Sequence, residues 1–532
     1  MQKETHYSSA MQRMKRRALI ILCGLAVECC LFSHVACANN LQVADAEIDS
    51  IDTSADTAVI QFDISWDNSW RDTTNYDAVW LFMKYRTDID NDWAHATLSA
   101  SGTNPSGFSD GSSIAGTTLD IIVPADLTGC FLQHNEITSG SISMTGTQLT
   151  WDYGFDGLSD DDIPDVSLKL FAVEMVYIPT GPFEVGDGDG SNESTAALHV
   201  TDNTAFQISH VIQNSVTVDF PNTKDTIDTI PIAIDGDDGI DTDGDNDIDN
   251  ALYPTGYNAF YLMKYEITQG QYADFLNTLN DTEDNNRYPN QNGNNRHTIS
   301  GSFENYVASR PDRGCNYLSW TDVAAYCDWS AQRPMTELEY EKAARGPLGA
   351  VYAEFAWGTT GANAAAAGEI STSPEDGSET ITDSGANINY NTVVFTSGDS
   401  GSGPLRVGIF AQSATTTRLT TGAGFYGVMD LSGNIIEAAV SVGRDTGQDF
   451  AGTHGDGDLL TASGYEGDAT NEDWPGYIQG LGVSTSAANN GMGTRGGSWL
   501  STGAHSISYR SSASGSMTGD EEDGGRCART AP

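Results

Sequence analysis

Arg333-Pro-Met-Thr-Glu-Leu-Glu-Tyr-Glu-Lys-Ala-Ala-Arg-Gly346 reads as a complete helix with both ends written into it. Thr336 and Glu339 form a capping box: the hydroxyl takes the N–H three residues ahead, and the carboxylate reaches back to the N–H of Thr336. Gly346 is the natural stop, because glycine enters the left-handed region without a Cβ penalty. The same logic recurs upstream. Thr268 with Gln271 caps a segment whose Tyr272, Phe275, Leu276 and Leu279 share one face, and Ser319 with Asp322 caps one carrying Val323, Tyr326 and Cys327. Short capped helices beside short strands predict an α+β domain.

A chain of 532 residues is long enough for two to four domains with real apolar cores. Its N-terminus carries Lys3, Arg13, Lys15, Arg16 and Arg17, then an apolar run from Ala18 to Phe32, then Ala36-Cys37-Ala38. This order predicts a secretory signal over 1–38 and a secreted, periplasmic or cell-surface protein. The alternative, an uncleaved anchor, is opposed by Glu28 inside a run already short of a span; a lipoprotein site at Cys37 is opposed by His34. The sequence shows no second hydrophobic span, so no membrane crossing is expected after cleavage. Loss of 1–38 leaves 20 Lys+Arg against 72 Asp+Glu, a net charge of −52. Such a surface repels phosphate backbones, which excludes nucleic acid as a partner, and suits the holding of divalent cations. The mature cysteines are Cys130, Cys315, Cys327 and Cys527, and export permits disulfides among them. Spacing alone does not pair them.

Residues 39–168 predict an all-β sandwich. In Ile60-Gln-Phe-Asp-Ile-Ser-Trp66 the apolar residues alternate, as on a strand with one buried face, whereas Ala78-Val-Trp-Leu-Phe-Met-Lys-Tyr85 is nearly continuous, as on a strand covered on both sides. Thr117–Val123 and Gln148–Tyr153 add two further strands. Trp66, Trp70, Trp80 and Trp93 suit core packing or a carbohydrate-binding face. Glu174–Gly186 then reads as strand, Pro-Thr-Gly turn and strand, opening a second domain over 169–532. An acidic insertion at about 187–254 ends in Asp235-Gly-Asp-Asp-Gly-Ile-Asp-Thr-Asp-Gly-Asp-Asn-Asp-Ile-Asp249. Alternating carboxylates with interleaved glycine can wrap calcium, or simply form a solvated acidic loop; both readings stay open.

The Arg333–Gly346 run, the Phe355-Ala-Trp-Gly358 motif, the Glu174–Gly186 segment and the closing Arg495-Gly-Gly-Ser-Trp499 and Gly525-Arg526-Cys527 arrive in the order found in the formylglycine-generating enzyme (sulfatase-modifying factor) family, which this chain resembles over about 175–532. The resemblance implies a C-type-lectin-like fold with little regular secondary structure, long loops and bound calcium. Asp430-Leu-Ser-Gly-Asn-Ile-Ile-Glu437 falls at the family's calcium loop, so the Asp430 and Glu437 side chains with the Gly433 and Ile435 carbonyls are the implied ligands; Ala438 replaces the tryptophan usual after the glutamate. Asn387 with the Ile388 carbonyl and Asp399 is the implied second site, with a solvated Asx turn as its alternative. The resemblance also implies a Cys327–Cys527 disulfide tying a helix to the last strand.

The chain departs from the family where the chemistry sits. Family enzymes follow the Gly-Gly-Ser-aromatic turn with two cysteines, five residues apart, that bind copper; counted from Trp499, the matching positions are Ser506 and Ser511. A serine hydroxyl has neither the softness nor an accessible anion for copper(I), so copper is not expected and calcium is the expected metal. His505 is a poor base for Ser506, since neighbours on a strand face opposite ways. The reading favoured is therefore a secreted, calcium-stabilised, non-catalytic module that binds a protein or glycan, with Arg495, Trp499, Tyr509 and Arg510 lining the former substrate groove. Packing of the turn is the alternative for Trp499. The competing reading is a formylglycine-generating-type oxidoreductase with an altered site; a hypervariable lectin-like receptor is a third.

Overall fold

A computed structural model describes residues 40–88, 92–186, 206–208, 250–412, 417–442, 445–484, 491–503, 505–509 and 517–532. The expected signal over 1–38, the acidic run 235–249, Arg510 and Ser511 lie outside the described residues.

The first strands are β1 (Gln42–Asp52), β2 (Thr57–Arg71) and β3 (Tyr76–Arg86), followed by β4 (Leu119–Val123), β5 (Cys130–His134) and β6 (Thr138–Trp151). Ile60, Phe62, Ile64 and Trp66 on β2 are buried at every second position, as their alternation requires. Ile60 packs with Met83, Tyr85 and Trp151, whereas Phe62, Ile64 and Trp66 share a core with Val79, Leu81, Ile121 and Leu132 that Ile142, Met144 and Leu149 of β6 complete. β3 is buried on both faces: Val79 and Leu81 point into that core, while Trp80 and Phe82 belong to a second core shared with the helices. Trp66 and Trp80 are thus core residues. Trp70 and Trp93 are half-buried, each stacked against cations: Lys264 lies 4.9 Å from the Trp70 ring centroid, and Arg86 and Lys169 each 4.6 Å from that of Trp93.

The N-terminal strands do not close on themselves. β7 (Ser167–Ile178) runs across position 168 and pairs along its length with β3, and its far edge takes β8 (Phe260–Met263). The order β9 (Arg333–Pro334), β13 (Cys527–Thr530), β8, β7, β3, β5, β4 forms one antiparallel sheet from the C-terminus into the N-terminal region. This also corrects the hairpin expected over Glu174–Gly186. Both edges of β7 are occupied, so Phe183–Val185 pairs with Phe206–Ile208 instead.

The three expected capping boxes are present on α1 (Gln269–Leu276), α3 (Trp320–Trp329) and α4 (Glu337–Arg345), with Thr268, Ser319 and Thr336 as caps. A further one, Asn280 with Glu283, starts α2 (Asp281–Arg287). Gly346 ends α4 at φ 67°, where a Cβ would stand 2.3 Å from the Phe425 ring. Cys327 on α3 and Cys527 on β13 form a disulfide with Cα atoms 5.6 Å apart, and Cys130 and Cys315 are free and buried. Among the described residues no helix is long and apolar enough to cross a membrane.

Candidate functional site around the closing turn

β10 (Ile436–Val440) carries the site, paired antiparallel with β11 (Met492–Arg495) and parallel with β12 (Asp523–Gly524). Glu437 therefore lies opposite Arg495 on one side and Gly524 on the other. The Gly-Gly of the turn is required by its backbone: Gly496 and Gly497 sit at φ 86° and 65°, a region costly for any residue with a Cβ. The Gly496 carbonyl accepts from Gly433 N at 2.9 Å, and the Asn434 carbonyl accepts from Trp499 N at 2.9 Å, which clamps the two loops together.

Arg495 and Trp499 do not line a groove. Arg495 is 1% exposed and Trp499 3%. Arg495 is drawn inward by α4, whose residues are all buried: its Nε donates to Glu337 Oε1 at 3.1 Å, and its Nη1 to Glu341 Oε1 and the Ile507 carbonyl, each at 2.9 Å. Glu341 is shared with Arg345, which also pairs with Glu354 at 2.6 Å. A buried guanidinium needs such partners, and two carboxylates on successive turns of one helix supply them. Trp499 donates from Nε1 to the Glu521 carbonyl at 3.2 Å. Tyr509 remains half-buried at the surface.

Ser506 is half-buried, and its carbonyl accepts from Tyr509 N at 3.1 Å. His505 is no base for it. The imidazole is buried, its Nε2 lies 3.1 Å from the Ser498 carbonyl, its ring packs edge-on against Tyr390, and burial holds its pKa below the usual value. The polar chemistry sits instead at Ser498, whose hydroxyl donates to the Glu522 carboxylate and accepts from Ser501 N at 3.2 Å. This is a turn-closing arrangement of hydroxyl and carboxylate. Glu522 and Glu266 were not singled out by sequence reading. For Glu266 the signal was a charged residue in the short connection between β8 and the Thr268 cap, flanked by Tyr265 and Ile267.

The implied calcium ligands are distributed as follows. Glu437 is fully buried and receives Arg526 through both oxygens, Nε at 2.5 Å and Nη2 at 2.7 Å. Asp430 Oδ2 accepts from Gly408 N at 2.6 Å. Glu266, not expected here, accepts from Asn434 Nδ2 at 2.6 Å and Ile435 N at 3.0 Å. Burial raises the pKa of all three carboxyls; the neighbouring Asp430 and Glu437 charges add to this for Glu266, and Arg526 opposes it throughout. At the second expected site Asn387 spends its amide on Asn363 N and the Leu419 carbonyl, and the Ile388 carbonyl accepts from Ala365 N. Asp399 belongs to a different network: it binds Arg310 at 2.5 and 3.0 Å and Arg313 at 2.7 Å. Burial raises its pKa, but these guanidinium groups outweigh it and bring the carboxyl down to about 2.

Residues 233–531 match the model of the sulfatase-modifying factor enzyme 1-like domain. A stretch of 52 residues is 40% identical to a formylglycine-generating enzyme of Thermomonospora curvata, covering 10% of this chain and 16% of that enzyme's length. With more than half of its residues matched to that domain, from the acidic insertion through the helices and the closing turn to the last strand, the chain belongs to the sulfatase-modifying factor enzyme 1-like family.

Proposed function

We propose that this chain is an exported, non-catalytic member of its family that acts by binding a protein or glycan. The observation that carries this is the location of its thiols. Copper(I) needs soft thiolate ligands, and the chain has no cysteine over 328–526. The five-residue spacing is met by Ser506 and Ser511, and equally by Ser501 and Ser506; in either register both positions are serine. Cys327 and Cys527 are consumed in their disulfide. Cys130 and Cys315 are fully buried, and burial pushes both thiols well above their ordinary range, away from the thiolate that binds metal.

Export rests on the basic, apolar and Ala-Cys-Ala sequence of the N-terminus. Calcium stays part of the proposal for the acidic run Asp235–Asp249, whose charge density supports it. Of the expected groove, Tyr509 is the described residue that keeps partial exposure, so the contact surface is proposed beside it. The test is metal analysis of the exported chain together with an oxidation assay on cysteine-containing peptides, followed by protein and glycan arrays. Calcium without copper, no peptide oxidation and array binding weakened by Tyr509→Ala are the expected results. Stoichiometric copper with turnover would defeat the proposal and restore the oxidoreductase reading.

A further inference from the structure

Calcium is the cation the family resemblance implies at Asp430–Glu437, and the residues around that turn do not fit it. Calcium takes six to eight oxygens at about 2.3–2.6 Å. Here both oxygens of Glu437 already face a guanidinium, and that guanidinium has no donor left over. Arg526 Nε and one Nη2 proton serve Glu437, the other Nη2 proton serves the Met429 carbonyl at 2.9 Å, and Nη1 serves the Met263 and Lys264 carbonyls at 3.1 and 3.3 Å. All five N–H groups are matched in a fork geometry that a spherical ion cannot reproduce. The other carboxylates have donors of their own, Gly408 N for Asp430 and Asn434 with Ile435 N for Glu266. An added divalent ion on the Glu437 oxygens would stand beside a fixed positive charge in a water-poor interior, where like charges repel strongly.

The second expected site repeats the pattern. Asp399, the acid expected to complete it, holds Arg310 through both oxygens and Arg313 through one. Arg313 and Arg296 also share the buried Glu375.

The geometry points to arginine as the built-in cation of both loops: Arg526 takes the place of calcium at Asp430–Glu437, and Arg310 with Arg313 takes it at Asp399, so both loops are ordered without bound metal. The role of the acidic insertion is independent of this. Crystals of the full chain grown in calcium chloride, with anomalous differences measured at long wavelength, decide it. The expected map has no calcium peak at Glu437 or Asp399 and keeps the carboxylate–guanidinium pairs. A peak ligated by either side chain overturns the inference, whatever is seen elsewhere. In solution, Arg526→Lys keeps a charge but loses the fork. Hydrogen exchange over 429–440 should rise by at least about tenfold, as expected for losing a charge-assisted hydrogen bond, with or without added calcium. Restoration of protection by calcium in that variant would show that the metal orders the loop.

Discussion

Arg495→Met tests whether this arginine belongs to the core or to a binding surface. In the structure its guanidinium is buried between Glu337 and Glu341. Removing it leaves Glu341 with Arg345 and takes the Arg495 guanidinium away from Glu337, to which Val442 N also donates at 3.1 Å. Deleting one member of a buried ion pair typically costs about 3–5 kcal/mol, because the remaining charge is uncompensated. The methionine retains much of the apolar stem, so the cavity contribution is small. The loss is therefore expected at about 3 kcal/mol or more, read as a shift of the urea midpoint at unchanged slope. Arg495→Met with Glu337→Gln should recover part of it, since the second change removes a buried charge that Arg495 had been facing. A loss below about 1 kcal/mol, within the usual range for an exposed pair, together with weakened ligand binding, would refute the buried network and return Arg495 to a surface groove.

Other expectations follow from the same structure. Cys327→Ser with Cys527→Ser opens a loop of 200 residues, for which the chain-entropy model gives roughly 4–5 kcal/mol of destabilisation and measurement usually gives less; an unchanged denaturation midpoint would count against the bond. Gly346→Ala combines a positive φ with a clash against Phe425 and should cost about 1–2 kcal/mol by chemical denaturation. Asp328 is buried and accepts from Thr470 N, its hydroxyl and Asp456 N, and burial, then the Asp456 charge, raises its carboxyl to about 7. The folded state therefore holds its proton more tightly than the unfolded state, so its contribution is fully present below the ordinary carboxylate range and is lost as pH rises towards 7. Stability measured from pH 8 down to 5 should rise more for the native chain than for Asp328→Asn, and parallel profiles would exclude this assignment. Asp399 has the opposite sign: its arginine pairs contribute fully above about pH 4 and are lost as pH falls through about 2. The stability difference from Asp399→Asn should close over that window.

The sequence by itself determined the local elements of this protein. Capping boxes at Thr268, Ser319 and Thr336 and the stop at Gly346 are short-range hydrogen-bond and steric requirements, and β2 and β3 are legible because alternation and continuous apolarity follow directly from one or two buried faces. The family order of motifs was legible for the same reason, as was the absence of cysteine after Cys327 until Cys527. Tertiary structure decided where charged side chains go. Arginine and glutamate read as surface residues in a sequence, yet Arg495, Arg526, Glu337, Glu341 and Glu437 are all buried here, since each is brought against an opposite charge from a distant segment. No local pattern announces such a pair: Glu437 and Arg526 are 89 residues apart, and burial of either is favourable only once the fold supplies the other. The continuous sheet through β7 has the same origin. Strand edges pair with whatever edge the fold presents, and here that joins the N-terminal layer to the last strand of the chain.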